Sequence, residues 1–185
     1  MGQNRWRTQA GRLFFFWGIA IALRLLSFFP SVINHDESTY IVISDALAKG
    51  QMYWVDINDT KPIGVFLVFL LLQKIVGSSI FALRLVTTLI VGSTAYMLYR
   101  GKRNLGSSEG AARAAGVLFL FMCSIFTFYG VSPNTETFFV ACTAAAFWAL
   151  SGRLTFGRAV LAGLLLGVGF VIKYVVLFDA VALGM

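Results

Sequence analysis

Two adjacent carboxylates, Asp36 and Glu37, follow a long apolar run and open the segment His35-Asp36-Glu37-Ser38-Thr39-Tyr40. Neighbouring acids at the mouth of a membrane segment are costly to desolvate and repel each other, which invites a functional explanation such as proton transfer. Farther on, Asp59-Thr60-Lys61-Pro62-Ile63-Gly64 places an ammonium just before an apolar stretch, where it could meet a phosphate. A third carboxylate, Glu136, lies in the turn Pro133-Asn134-Thr135-Glu136. Three further cations sit in or beside apolar runs: Arg24, Arg84 and Lys173. Charge inside a membrane is expensive and marks a functional site by default. Each residue also has a plainer reading taken alone. Asp36 and Glu136 could cap surface helices, and Lys61 could be an anchor whose ammonium reaches back to water. Cations gathered near one depth with acids above them favour the functional reading.

The elements that must position these groups are set by hydrophobicity. Of 185 residues, 58% are hydrophobic and 12% charged, with a mean hydropathy of +0.81, far from the composition of a soluble domain. Apolar runs cover Leu13 to Phe29, Ile63 to Val76, Ile80 to Tyr99, Ala114 to Tyr129, Thr137 to Leu150 and Ala159 to Ile172, the last continuing past Lys173. The first follows Arg5, Arg7 and Arg12 and is too long for a cleaved leader, so it reads as a retained signal anchor. Cys123 and Cys142 both lie inside apolar runs and suggest neither a disulfide framework nor a metal site. The +7 formal charge is confined to short segments between runs, which suits membrane orientation and argues against nucleic acid.

Charge also orders the runs. With Arg5, Arg7 and Arg12 in the cytoplasm, an outer loop of about residues 31–61 carries Asp36, Glu37, Asp45, Asp56 and Asp59. Arg100, Lys102, Arg103 and Arg113 return the chain to the cytoplasm by the positive-inside rule. Two runs lie between, so one of them does not cross. Ile63 to Val76 is the weaker, since at ~1.5 Å per residue it reaches only about 21 Å. It is expected to dip into the outer leaflet and return, over about residues 62–77. A second outer loop then falls at about 130–136, and Arg153 and Arg158 lie inside. Nine of the fifteen basic residues fall inside and six of the eight acids outside. The expectation is one all-α polytopic membrane domain over residues 1–185, with about five transmembrane helices and helices lying along its outer face.

Asp36-Glu37, Lys61-Pro62, Arg84 within Leu-Arg-Leu and Glu136 within Asn-Thr-Glu together resemble the GT-C superfamily of membrane glycosyltransferases. The closest likeness is to bacterial protein O-mannosyltransferases and aminoarabinose transferases, in which a first-loop Asp precedes a Lys-Pro-Pro-Leu motif. Here Ile63 and Gly64 replace the second proline and the leucine, and family members run to several hundred residues. The resemblance implies transfer of a sugar from a polyprenyl-phosphate carrier to an acceptor hydroxyl on a lipid, glycan or protein, with inversion. It is expected at the outer, periplasmic face of a bacterial inner membrane, amid membrane lipids. It makes Asp36 the general base or the group that orients the acceptor. Lys61 and Arg84, with Arg24 and Lys173, become phosphate-binding groups, while Glu37 and Glu136 hold acceptor hydroxyls or, less favoured, a divalent cation. No other cofactor is implied. The alternative is a non-catalytic, truncated relative serving as a structural subunit of a membrane complex. A small anion transporter is a third reading, against which the absence of inverted repeats counts.

Overall fold

The computed structural model describes residues 2–125 and 130–184, with side chains from Thr8 onward. The described residues are 75% helical, in eight α-helices and no strand. Helix α1 (Gly2–Arg24) runs into a 3-10 turn, Leu25–Phe28. It is followed by α2 (His35–Ala48), α3 (Ile63–Val76), α4 (Ile80–Asn104), α5 (Glu109–Met122), α6 (Thr135–Leu150), α7 (Phe156–Ile172) and α8 (Val176–Gly184).

Their starts follow local chemistry. A side-chain oxygen accepts a free first-turn N–H at Asn34 for α2, Ser79 for α4, Ser108 for α5 and Thr155 for α7. Asp36 and Glu37 fall in the first turn of α2, where the helix dipole favours negative charge. Pro62 stands immediately before α3 in an extended conformation. That helix stops at Gly77, which takes a positive φ of 77°.

Five helices alternate in direction between two poles. Antiparallel α1, with the 3-10 turn that extends it, and α4 are pinned at three levels: Arg84 donates to the carbonyl of Ser27, Trp17 donates to Ser93 at 3.0 Å, and Tyr96 donates to Gln9 at 2.8 Å. Helix α5 climbs from beneath Tyr99, and its Gly116 presses against Phe16 and the Ala95 carbonyl, so closely that a Cβ would lie 2.6 Å from the ring. Helix α6 runs alongside α4, with Phe147 against Gly101 and Asn104 bonded to Ser151 at 3.2 Å. Helix α7 then returns along α6, which brings Lys173 to Glu136. Arg12, Arg100, Lys102, Arg103 and Arg113 mark one pole, while Asp36, Glu37, Lys61, Glu136 and Lys173 mark the other.

Two segments, Thr8–Phe28 and Ile80–Asn104, are long and apolar enough to cross a membrane. Ile63–Val76, Thr135–Leu150 and Phe156–Ile172 are shorter apolar helices. Large apolar side chains stand exposed around the exterior, among them Phe14, Leu26, Phe29, Leu71, Leu118, Phe121, Leu164 and Val168. Such a surface belongs in hydrocarbon, where helices satisfy their own backbone groups.

The helical limits differ from the sequence reading in three places. The basic segment 100–113 is mostly helical, because α4 continues to Asn104 and only residues 105–108 connect it to α5. The run ending at Tyr129 gives a helix that stops at Met122, and its last four residues lie outside the described ones. The run through Lys173 is two helices, separated where Lys173 is extended (φ −154°, ψ 124°); its ammonium meets Glu136.

Candidate functional site at the acidic pole

Three acid–base pairs gather where the ends of α1 and α7 and the starts of α2, α3, α4 and α6 converge. Two of them are accessible, and the first is Asp36 with Lys61: the ammonium donates to Asp36 Oδ1 at 2.8 Å, with side chains 42% and 29% exposed respectively. Lys61 is held at both ends. Its N–H donates to Asp59 Oδ1 at 3.0 Å, and its carbonyl accepts from the Tyr53 hydroxyl at 2.5 Å. Its ammonium also lies 5.1 Å from the centre of the Tyr40 ring, a cation–π contact. Asp36 is fixed through its own N–H, which donates to Asn34 at 3.1 Å.

Directly behind, Glu37 and Arg84 form a two-pronged pair with both contacts at 2.7 Å, and their side chains are 3% and 1% exposed. Arg84 also donates to the carbonyls of Ser27 at 2.8 Å and Pro30 at 2.5 Å. These two residues were expected to meet substrate. In the fold they meet each other, and together they clamp the start of α2 to the end of α1 and the first turns of α4. The planar guanidinium suits this work, since it serves a carboxylate and carbonyls at once.

The third pair, Lys173 with Glu136, ties the end of α7 to the first turn of α6. Lys173 lies 5.8 Å from the Phe139 ring centre. Asn34 donates to Asn134 at 3.4 Å, so the two outer loops touch. Both carboxylates offered as holders of a divalent cation thus have cations beside them, Glu37 with Arg84 and Glu136 with Lys173. No group of three or more His, Cys, Asp or Glu placed to hold a metal occurs among the described residues.

Arg24 stands apart. It is the last residue of α1, 1% exposed, and its Nε and Nη1 have no hydrogen-bond partner. It lies within electrostatic reach of Cys123, which lines a cavity of about 350 Å³ with Val91, Phe119, Val140, Asn134 and Glu136. This cavity leads from the α4–α5–α6 interior to the carboxylate of the third pair.

Tyr40 was not among the sequence-based candidates. It is fully buried, and its ring packs on Phe66 and Phe69. Burial first, then the charges of Asp36 and Glu136, raise its pKa above the usual phenol range, so it remains a neutral hydroxyl. Its signal was present in the sequence: position 40 is four residues after Asp36, one turn along the same helix face. Gly64 was noted only as a departure from a motif. A Cβ there would lie 2.3 Å from the Val171 carbonyl oxygen, so the glycine lets α3 approach the end of α7 backbone to backbone.

Fold and site define an all-helical membrane protein with a cluster of paired charges at one pole. A family model described as dolichyl-phosphate-mannose-protein mannosyltransferase matches residues 60–184, more than half of the chain, and the chain belongs to this family of GT-C type. The matched region includes Lys61, Arg84, Glu136 and Lys173, while Arg24, Asp36 and Glu37 precede it. Comparison with curated proteins and with solved structures gives no match.

Proposed function

We propose that this chain transfers a sugar from a polyprenyl-phosphate carrier to an acceptor hydroxyl, with inversion, at the outer face of a bacterial inner membrane. The observation that carries this reading is the accessible Asp36–Lys61 pair at 2.8 Å, set on a rigid base by the buried Glu37–Arg84 pair. Family membership supports a lipid-linked sugar as donor.

In this scheme the donor phosphate competes with Asp36 for the Lys61 ammonium. Drawing Lys61 away leaves the carboxylate free to accept a hydrogen bond from the acceptor hydroxyl. The acceptor oxygen attacks the anomeric carbon from the face opposite the phosphate and gives its proton to Asp36. The bond from that carbon to the phosphate oxygen breaks, and polyprenyl phosphate leaves with the electron pair. Lys61 offsets the charge growing on the phosphate. Asp36 supplies general-base catalysis, worth about 10²–10⁴-fold in comparable sites. Glu37 and Arg84 are positioning residues in this scheme. Lys173 and Glu136 flank the acceptor side, with Arg24 a buried positive charge behind them.

The alternation of α1, α4, α5, α6 and α7 between the poles supports five crossings within one membrane domain, with α2 and α3 on the outer side. The basic pole is then cytoplasmic.

The test is sugar transfer in proteoliposomes supplied with a panel of polyprenyl-phosphate sugars. Lys61→Met is expected to raise KM for the lipid donor about tenfold or more, the scale of one lost charge-assisted contact. A parent chain inactive across the panel would instead favour the structural-subunit reading.

A further inference from the structure

The opposite pole holds a second built arrangement that the transfer chemistry does not use. Glu109, at the first position of α5, receives three guanidinium groups: Arg113 at 2.9 Å, Arg103 at 3.3 Å and Arg12 at 3.4 Å. Tyr99 also donates to both of its oxygens at 3.0 Å. One carboxylate cannot neutralise three cations, and Arg100 and Lys102 on α4, Arg153 after α6 and Arg158 on α7 add to the positive charge of this pole. The excess is focused by shape. A cleft of about 310 Å³ opens between α1 and α5, with Arg12 and Arg113 in its wall. The remaining wall includes Tyr99, Phe15, Phe16 and the bare backbone of Gly11.

Along α1, Phe15 and Phe16 lie about one turn deeper toward the hydrocarbon than Arg12. Phe15 is itself exposed. The cleft is therefore cationic at its mouth and aromatic below. A free inorganic phosphate has no use for the aromatic half. A phosphodiester joined to acyl chains uses both.

We propose that the α1–α5 cleft is a binding site for the headgroup of an anionic phospholipid, with Arg12 and Arg113 on the phosphodiester and Phe15 against the glycerol–acyl region. Basic pockets between helices at a membrane interface suit such headgroups. Gly11 faces open space in this wall: a Cβ there would have nothing within 4 Å. The assignment does not depend on the transfer reaction, so it can stand or fall separately.

The experiment is native mass spectrometry of the full chain released from mixed micelles of phosphatidylglycerol and phosphatidylcholine. The parent chain is expected to retain phosphatidylglycerol preferentially. Arg12→Gln with Arg113→Gln should cut that preference about thirtyfold, taking roughly fivefold per interfacial charge. Gly11→Leu places a side chain in the cleft without altering charge, its Cβ meeting nothing within 4 Å, and should abolish the preference in a protein that still folds. Arg153→Gln with Arg158→Gln removes the same charge from the same pole outside the cleft and should leave the preference within about twofold. The proposal is overturned if Gly11→Leu binds like the parent, or if the Arg153/Arg158 variant loses as much as the Arg12/Arg113 variant, since diffuse charge would then suffice. Displacement of the lipid by excess inorganic phosphate would likewise overturn it, identifying a phosphate site with no lipid specificity.

Discussion

A guanidinium hidden from solvent and joined to a carboxylate by two hydrogen bonds behaves differently from an ammonium joined by one at the surface. Arg84 and Glu37 are of the first kind, Lys61 and Asp36 of the second. Removing one partner of the buried pair strands a charge in a low-dielectric interior, a loss of about 3–5 kcal/mol, whereas replacing both with apolar groups is often far milder. Glu37→Gln should therefore lower the thermal unfolding temperature sharply, and Glu37→Leu with Arg84→Met should recover a large part of the loss. A double variant as unstable as the sum of the single ones would show that the pair does not act as a unit. The types of these residues were legible in the sequence, but their pairing was not. Glu37 and Arg84 stand 47 positions apart and meet only because the end of α1 lies beside the start of α4. For the same reason the sequence could not separate a buried pair from an exposed one.

At the scale of elements, local signals carried far. The α3 run was bounded at Ile63 and Val76, which are the helix limits observed. The break at Lys173 was not legible, because apolar residues continue on both sides and the residue its ammonium meets, Glu136, is 37 positions away. Gly64 was equally opaque from sequence, since its reason lies across the molecule in the Val171 carbonyl. Gly64→Leu, which restores the leucine of the related motif, should force α3 from α7 and cost several kcal/mol, as overpacking against backbone does at its severe end. Gly163→Ala should be nearly silent, since a Cβ there would have nothing within 4 Å. Thermal unfolding of the two variants checks the contrast, and equal stability would contradict the close approach.

For the whole molecule, charge patterning predicted which segments share a pole, and the helices' alternation agrees with it. The sequence could not show how loops 100 residues apart meet, as Asn34 and Asn134 do. Five crossings predict opposite accessibility for the two poles. With Cys123 and Cys142 replaced by Ala, a cysteine at Ser31 should react with an impermeant maleimide from outside intact cells, and one at Gly110 only after the membrane is opened. Labelling of both from one side would refute the crossing count. The central claim is sharper still: Asp36 takes the acceptor's proton. Its most direct test is sugar transfer in proteoliposomes by the parent and by Asp36→Asn, at equal amounts of folded protein. The account predicts a fall in kcat of about 10²–10⁴-fold with donor KM little changed; an Asp36→Asn chain as active as the parent would contradict it.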